Sequence, residues 1–197
     1  VMNKFELVML RNYISEHDSG ASAAGGYGYH LLHWHEHSKF CGKCGSLNQW
    51  NESDCAKKCP VCGNMQFPRI SPAIIIMIHK DNEILLAHNS SFTEGRYSLL
   101  AGFMEIGETV EETAKREVLE EVGIEIENIK FVSSQSWPFP DSLMIGLSAD
   151  YKAGEITPDG KEIVHADWYN PANFPSIPGP GTIARKIIDQ YTKTYKS

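Results

Sequence analysis

The sequence predicts an α/β sandwich, with strands flanked by helices, preceded by a small four-cysteine ribbon. Three observations predict it. Residues 73–79 read AIIIMIH and, after a turn at Lys80-Asp81-Asn82, EILLAH follows. That is a hairpin with one strand apolar enough to be buried on both faces. Two stretches of helical periodicity, 109–123 and 181–195, lie on either side of further strand-like segments, the alternation expected of layered α/β folds. Four of the five cysteines come in two C-x2-C pairs, which suits a metal better than disulfides.

With 197 residues and 42% apolar content, the chain has room for one ordinary domain and a small module. The expected division is 1–40 as a short N-terminal segment, 41–68 as a zinc ribbon and 69–197 as the principal domain. The net charge of −7 and the lack of a Lys/Arg cluster argue against non-specific binding to polyanions. They do not exclude an anionic substrate, because divalent metals reverse the sign locally. No run approaches the roughly 18 apolar residues of a membrane span. The opening Val1-Met2 reads as an added residue before a natural start, and nothing after it reads as a signal peptide. The free thiols point to a reducing, cytoplasmic location.

The elements follow in order. Phe5, Leu7, Val8, Met9 and Leu10 form an apolar first stretch, and the Gly/Ser/Ala-rich segment from Ser19 to Gly28 reads as a flexible connector. In the histidine-rich segment that follows, His33 and His37 stand one helical turn apart. They either bind a metal or cap a short helix. Cys41, Cys44, Cys59 and Cys62 form two knuckles, each ending in glycine, that place four thiolates for tetrahedral zinc. A rubredoxin-like iron site uses similar knuckles, and a nucleic-acid-binding ribbon is a second alternative, although Glu52 and Asp54 dilute Lys43, Lys57 and Lys58. With all four positions filled the metal has no open site, so its task is folding. Cys55 is left over.

After the hairpin, Leu100-Ala101-Gly102-Phe103-Met104-Glu105 reads as a loop into the helix. Thr109 and Glu112 form a capping box, and Gly123 supplies the left-handed residue that ends the helix. Val110, Ala114, Val118 and Val122 recur at i+4 as an apolar stripe. Glu117, Glu120 and Glu121 project from one arc of roughly 100°. Three carboxylates so close repel unless cations sit among them; the competing reading is a solvated acidic face. Strands are expected near 129–135, 143–151 and 166–169, a loop over 171–180, and the last helix with Ile183, Ile187, Ile188 and Tyr191 inward.

Gly102 to Ile124 fits G-x5-E-x7-R-E-U-x-E-E-x-G-U (U aliphatic) at all nine specified positions. This resembles the Nudix box, the signature of hydrolases that cleave nucleoside diphosphates linked to another group. Ser134 to Ser142 reads SQSWPFPDS. Together with the four-cysteine ribbon and the box, it resembles the NADH pyrophosphatase subfamily of Nudix hydrolases, whose usual pattern is SQPWPFPxS; Ser136 replaces the first proline. LLHWHEHSKFCGKCG, LLAGFMEIGE, KEIVHADWY and PGPGTIARK extend the likeness over roughly 31–190. Members commonly carry a larger N-terminal domain, which leaves its role in doubt here.

The resemblance implies a Nudix α/β/α sandwich with a mixed sheet and assigns roles. Glu117 and Glu121 become Mg²⁺ or Mn²⁺ ligands, Glu120 a ligand or the base for water, and Glu162 a further ligand that from sequence alone passes for a surface charge. Arg116 would orient the carboxylates through partners such as Glu120; a plain i,i+4 pair with Glu112 is the alternative. Glu105 and Glu108 would hold the loop. Phe67 and Phe103 would stack on a ring of the dinucleotide, one of them supplied by a neighbouring subunit of a homodimer. Gln135, Ser136, Trp137, Pro138, Phe139, Pro140, Asp141, Ser142 and Ala184 would complete the pocket; without the resemblance WPFP is equally a stiffened aromatic loop packed on the core. The implied reaction is NAD(H) plus water giving AMP and nicotinamide mononucleotide, with NADH favoured, and removal of NAD caps from RNA. The rivals are a Nudix hydrolase of ADP-ribose or dinucleoside polyphosphates, and a recognition module on a dead Nudix fold, against which the intact REVLEE argues.

Overall fold

A computed structural model describes residues 7–195; Phe5 of the first apolar stretch lies outside them. The chain opens with a helical hairpin, α1 (Leu10–Glu16) and α2 (Gly20–His37). The expected connector at Ser19–Gly28 is therefore mostly helix. Ser19 caps it by accepting from Ser22 N at 3.2 Å. Two of its four glycines, Gly25 and Gly26, serve close packing. A Cβ at Gly26 would sit 3.3 Å from Pro138 Cγ, and one at Gly25 2.8 Å from Leu10 Cδ1.

The ribbon follows as a three-stranded sheet in the order β1 (Gln49–Asn51), β2 (Ala56–Lys58), β3 (Met65–Gln66). It is fixed to the end of α2. Lys57 is 4% exposed, donates from Nζ to His35 O at 2.6 Å and lies 5.5 Å from the Trp34 ring centroid. Burial lowers its pKa, so the ammonium depends on that helix-end carbonyl for compensation.

The second sheet is built on β4 (Ser71–Lys80). A two-residue turn with Asp81 at φ 52° leads into β5 (Glu83–Asn89). β5 pairs with β4 only at His79–Ile84 and Lys80–Glu83, and then diverges. Into the gap comes β6 (Leu100–Phe103), antiparallel to β4 from Ala73–Phe103 to Ile76–Leu100. The first four of the six residues expected as a loop thus form a strand. Then come α3 (Val110–Val122), β7 (Glu125–Trp137), β8 (Ser142–Ala153), β9 (Ile163–Tyr169), a 3₁₀ turn over Pro171–Asn173 and α4 (Ile183–Tyr195). The strand order is β7-β8-β4-β5-β9 with β6 also on β4, and β8 runs parallel to β4. The sheet is mixed, as predicted.

Alternation along β4 separates the two layers. Ile74, Ile76 and Ile78 pack with Ala114, Val118 and Val122 of α3. Ile75 and Met77 pack with Ile183, Ala184, Ile187 and Ile188 of α4. Each such aliphatic side chain contributes about 1.5–3 kcal/mol on full burial. Both faces being covered explains why β4 reads as an unbroken apolar run.

Candidate functional site

Helix α3 presents its acidic face because its caps and apolar stripe leave no other orientation. Thr109 Oγ1 accepts from Glu112 N at 3.2 Å, and Glu112 Oε2 accepts from Thr109 N at 2.8 Å. Gly123, at φ 74°, ends the helix. Ala114, Val118 and Val122 are fully buried. Glu121, one residue before Val122, is drawn under with them to 5% exposure, and its Oε2 has no hydrogen-bond partner among the described residues. Burial pushes the Glu121 carboxyl up to about 8, with Glu117, Glu162, Asp159 and Glu120 acting in the same direction. Burial also raises Glu117, against the pull of Arg116. A desolvated carboxylate among like charges is costly unless a cation joins it. Hard oxygen donors around such an orphaned atom fit a divalent cation.

Arg116 organises this face. It bonds Glu108 twice (Nε–Oε1 2.6 Å, Nη2–Oε2 2.9 Å), Glu117 Oε1 at 2.9 Å, Glu120 Oε2 at 3.2 Å and the Phe103 carbonyl at 3.0 Å. Its partners are these, and Glu112 is instead committed to the capping box. Glu108 also accepts from Glu105 N at 2.9 Å and Thr113 Oγ1 at 2.8 Å. The Arg116 guanidinium holds its carboxyl down at about 2. Gly102 lies directly beneath the Glu117 carboxylate, where a Cβ would collide with it. On the far side, Glu162 receives Asn89 Nδ2 at 3.3 Å, and its carbonyl accepts from Ser90 N at 2.8 Å.

The cysteine sulfurs of Cys41, Cys44, Cys59 and Cys62 all lie within 4.8 Å of one another, the only such group of three or more ligand-type side chains among the described residues. Cys41–Cys62 and Cys44–Cys59 are 3.6 and 3.4 Å apart. Tetrahedral zinc with Zn–S bonds of about 2.3 Å needs edges of about 3.8 Å, so the set fits. The Ser46 main-chain N–H brings Cys44 down to about 6, toward the thiolate a metal requires. The carboxylates around α3 are spread more widely.

A cavity of about 640 Å³ opens on the α4 side of the sheet, lined by Trp137, Gln135, Ala184, Arg96 and, from α1, Arg11 and Asn12. A second cleft of about 590 Å³ lies between α2 and the ribbon, with Phe67, Arg69, Pro140 and Asp141 in its walls.

A model of the NUDIX domain matches residues 68–191. The chain belongs to the Nudix family. Among curated proteins it is similar to "NAD-capped RNA hydrolase NudC" of Pseudomonas aeruginosa (strain LESB58), 42% identical over 182 residues, covering 92% of this chain and 66% of that one. The protein of the same name from Klebsiella pneumoniae (strain 342) is 43% identical over 176 residues, covering 89% and 68%. The likeness to the NADH pyrophosphatase subfamily is borne out. The chain spans about two thirds of the length of these relatives. A Nudix hydrolase structure from Nitrosomonas europaea superposes with a TM-score of 0.67 at 24% identity, covering 79% of this chain and 90% of that one; this shows the shared fold.

Within the Nudix frame, the structure gathers Glu117, Glu120, Glu121, Glu162 and Arg116 on one side, and Trp137 and Ala184 at one pocket. It divides the WPFP segment. Trp137 faces the pocket, whereas Pro138 is buried and Phe139 packs on Tyr29 at 5.2 Å. Gln135 spends its amide on the start of α4, donating to Gly181 O at 2.8 Å and accepting from Ile183 N at 2.7 Å. Ser136 lines other cavities, and Ser142 is 5% exposed. Phe67 and Phe103 are 60% and 56% exposed, and Phe67 lines the cleft by the ribbon, away from Trp137. His33 and His37 stack at 4.1 Å, and His37 Nδ1 donates to His33 O at 2.7 Å; this is the helix-end reading. Sequence reasoning missed Arg11, Asn12 and Arg96, because nothing local marks a residue that tertiary packing brings to a pocket.

Proposed function

We propose that this Nudix protein hydrolyses the pyrophosphate bond of NAD(H), giving AMP and nicotinamide mononucleotide (NMNH from NADH), and accepts the NAD cap of RNA 5′ ends at the same site. The observation that carries the reading is the buried, unpartnered oxygen of Glu121 beside Glu117, Glu120 and Glu162 on an intact box. The names of the similar proteins support the choice of dinucleotide.

In this reading Glu117, Glu120, Glu121 and Glu162 hold Mg²⁺ or Mn²⁺, which when bound neutralises the charge on the pyrophosphate oxygens. Arg116 keeps Glu117 and Glu120 turned toward the site. The Glu120 side chain, 62% exposed, is the carboxylate open to entering water, and we assign it the proton that the water gives up as its oxygen attacks phosphorus. Phosphoryl chemistry needs little else than such positioning. Trp137 and Ala184 seat the base or ribose of one half of the dinucleotide, and the exposed Phe103 ring flanks the other. Phe67, turned away within one protomer, serves the pocket of a second copy, which favours a homodimer. In this reading zinc on the four cysteines holds the ribbon, and the cysteine usage supports a reducing, cytoplasmic setting. Among the described residues no helix is long and apolar enough to cross a membrane.

The test is product analysis with NADH, NAD⁺, ADP-ribose, a diadenosine polyphosphate and an NAD-capped RNA under Mg²⁺ or Mn²⁺. AMP and NMNH from NADH are expected. Turnover of ADP-ribose or the polyphosphate with none of NADH overturns the assignment in favour of those substrates.

A further inference from the structure

Glu121 lies near the end of α3 and Glu162 just ahead of β9, yet one residue between them in sequence touches the backbone of both. Asp159 donates its main-chain N–H to Glu121 O at 3.0 Å. Its carboxylate folds back over the next turn. Oδ1 accepts from the N–H groups of Lys161 and Glu162, each at 3.2 Å, and Ile163 at 2.8 Å, while Oδ2 also takes Glu162 N at 3.2 Å. Gly160, at φ 69°, lets the chain reverse there, and its N–H closes the turn on Ile163 O at 3.0 Å. Glu162 therefore hangs from a turn whose two ends are the Glu121 carbonyl and the first residue of β9. Asp159 thus links by hydrogen bonds two carboxylate-bearing residues that belong to separate elements.

We propose that Asp159 is a positioning residue that holds Glu162 against Glu121 and so sets the affinity of the site for its divalent cation. The inference rests on the reading of Glu121 and Glu162 as metal ligands. Groups that orient metal ligands typically change metal affinity about 10–100-fold when removed. A rival role is available, since the Asp159 carboxylate is itself an anion near the site and could act by charge alone.

The experiment is Mn²⁺ binding to the full chain, read from the spin-resonance signal of free Mn²⁺, for wild type, Asp159→Ala, Asp159→Asn, Gly160→Ala and Glu162→Gln, with Tm recorded for each. Asp159→Ala is expected to weaken Mn²⁺ binding about 10–100-fold, while the KM for NADH at saturating Mn²⁺ stays unchanged. Asp159→Asn loses the charge but keeps the Oδ1 acceptor, so it should remain within a few-fold of wild type. Gly160→Ala strains the same turn with every charge in place, should weaken binding, and decides the matter if Asp159→Ala does not fold. Wild-type affinity in Asp159→Ala or in Gly160→Ala overturns the proposal, as does an Asn variant no better than Ala. Wild-type affinity in Glu162→Gln is a different failure: it removes the ligand reading, and this inference with it.

Discussion

Glu121 carries an energetic conflict that a bound cation would resolve. Its position on α3 places it beside Val122 and Val118 in the core layer, so its charge is desolvated where four other carboxylates already repel it. Glu121→Gln keeps the shape and removes the charge; turnover is expected to fall about 10²-fold or more, as when one electrostatic contributor to a transition state is lost. Steady-state kinetics with the NADH substrate at saturating metal checks it, and near-normal turnover would end the role. Gly102→Ala tests the same centre from below. The new Cβ meets the Glu117 carboxylate, and a displaced catalytic group can cost about 10²-fold, with Tm little changed. Glu108 gives the pH dependence. Its carboxyl titrates near 4.5 in the unfolded chain and about 2 in the folded one, held down by Arg116. Its stabilisation is complete above pH 4.5 and is lost as pH falls through about 2. The Tm advantage of wild type over Glu108→Gln should therefore be constant above pH 4.5 and close toward pH 2; an advantage that grows on acidification refutes the pairing. The box pattern marked Glu108 and Gly102 as fixed positions. What each one touches appears only when β6 is laid across α3.

At the scale of elements, local signals were readable where the cause is local. The capping box, the αL glycine and the i+4 stripe of α3 depend on residues within one helix, and all three stand as the sequence implied. The two-face burial of β4 follows from its own composition. The misreadings share a different cause. Small residues at Ser19–Gly28 signal either freedom or close approach, and only the neighbouring Pro138 and Leu10 decide for approach. β6 is four residues long and is a strand because β5 leaves an edge of β4 open for it. The ribbon was readable from cysteine spacing, and its attachment to α2 through Lys57 was not. That attachment makes metal removal matter beyond the knuckles. Cys59→Ser, or zinc chelation, should lower Tm and loosen α2 through the Lys57–His35 joint. Amide hydrogen exchange across residues 30–37 measures this, and unchanged protection there would show that the ribbon and helix are uncoupled.

For the molecule as a whole, the candidate carboxylates and the candidate pocket lie on opposite faces of one sheet. The carboxylates belong to the α3 side, and the 640 Å³ pocket to the α4 side. The pocket's outer wall comes from α1, a segment ahead of both the ribbon and the matched NUDIX region. α1 is locked there by main-chain contact. Gly181 N donates to Ser15 O at 2.9 Å, and a Cβ at Gly179 or Gly181 would strike the α1 backbone. Arg11 stands in this wall with its guanidinium 5.9 Å from the Phe139 ring centroid and no carboxylate partner among the described residues. If the pocket seats the dinucleotide as proposed, Arg11, on the α4 side and not among the carboxylates, would meet it equally before and during reaction. Arg11→Ala should therefore raise KM for the dinucleotide roughly ten-fold, the value of one hydrogen bond to a charged group, and leave kcat near wild type. Mn²⁺ affinity should not move. A fall in kcat at constant KM would place Arg11 with the carboxylates instead, and no change in either would mean that α1 only shields the pocket from solvent.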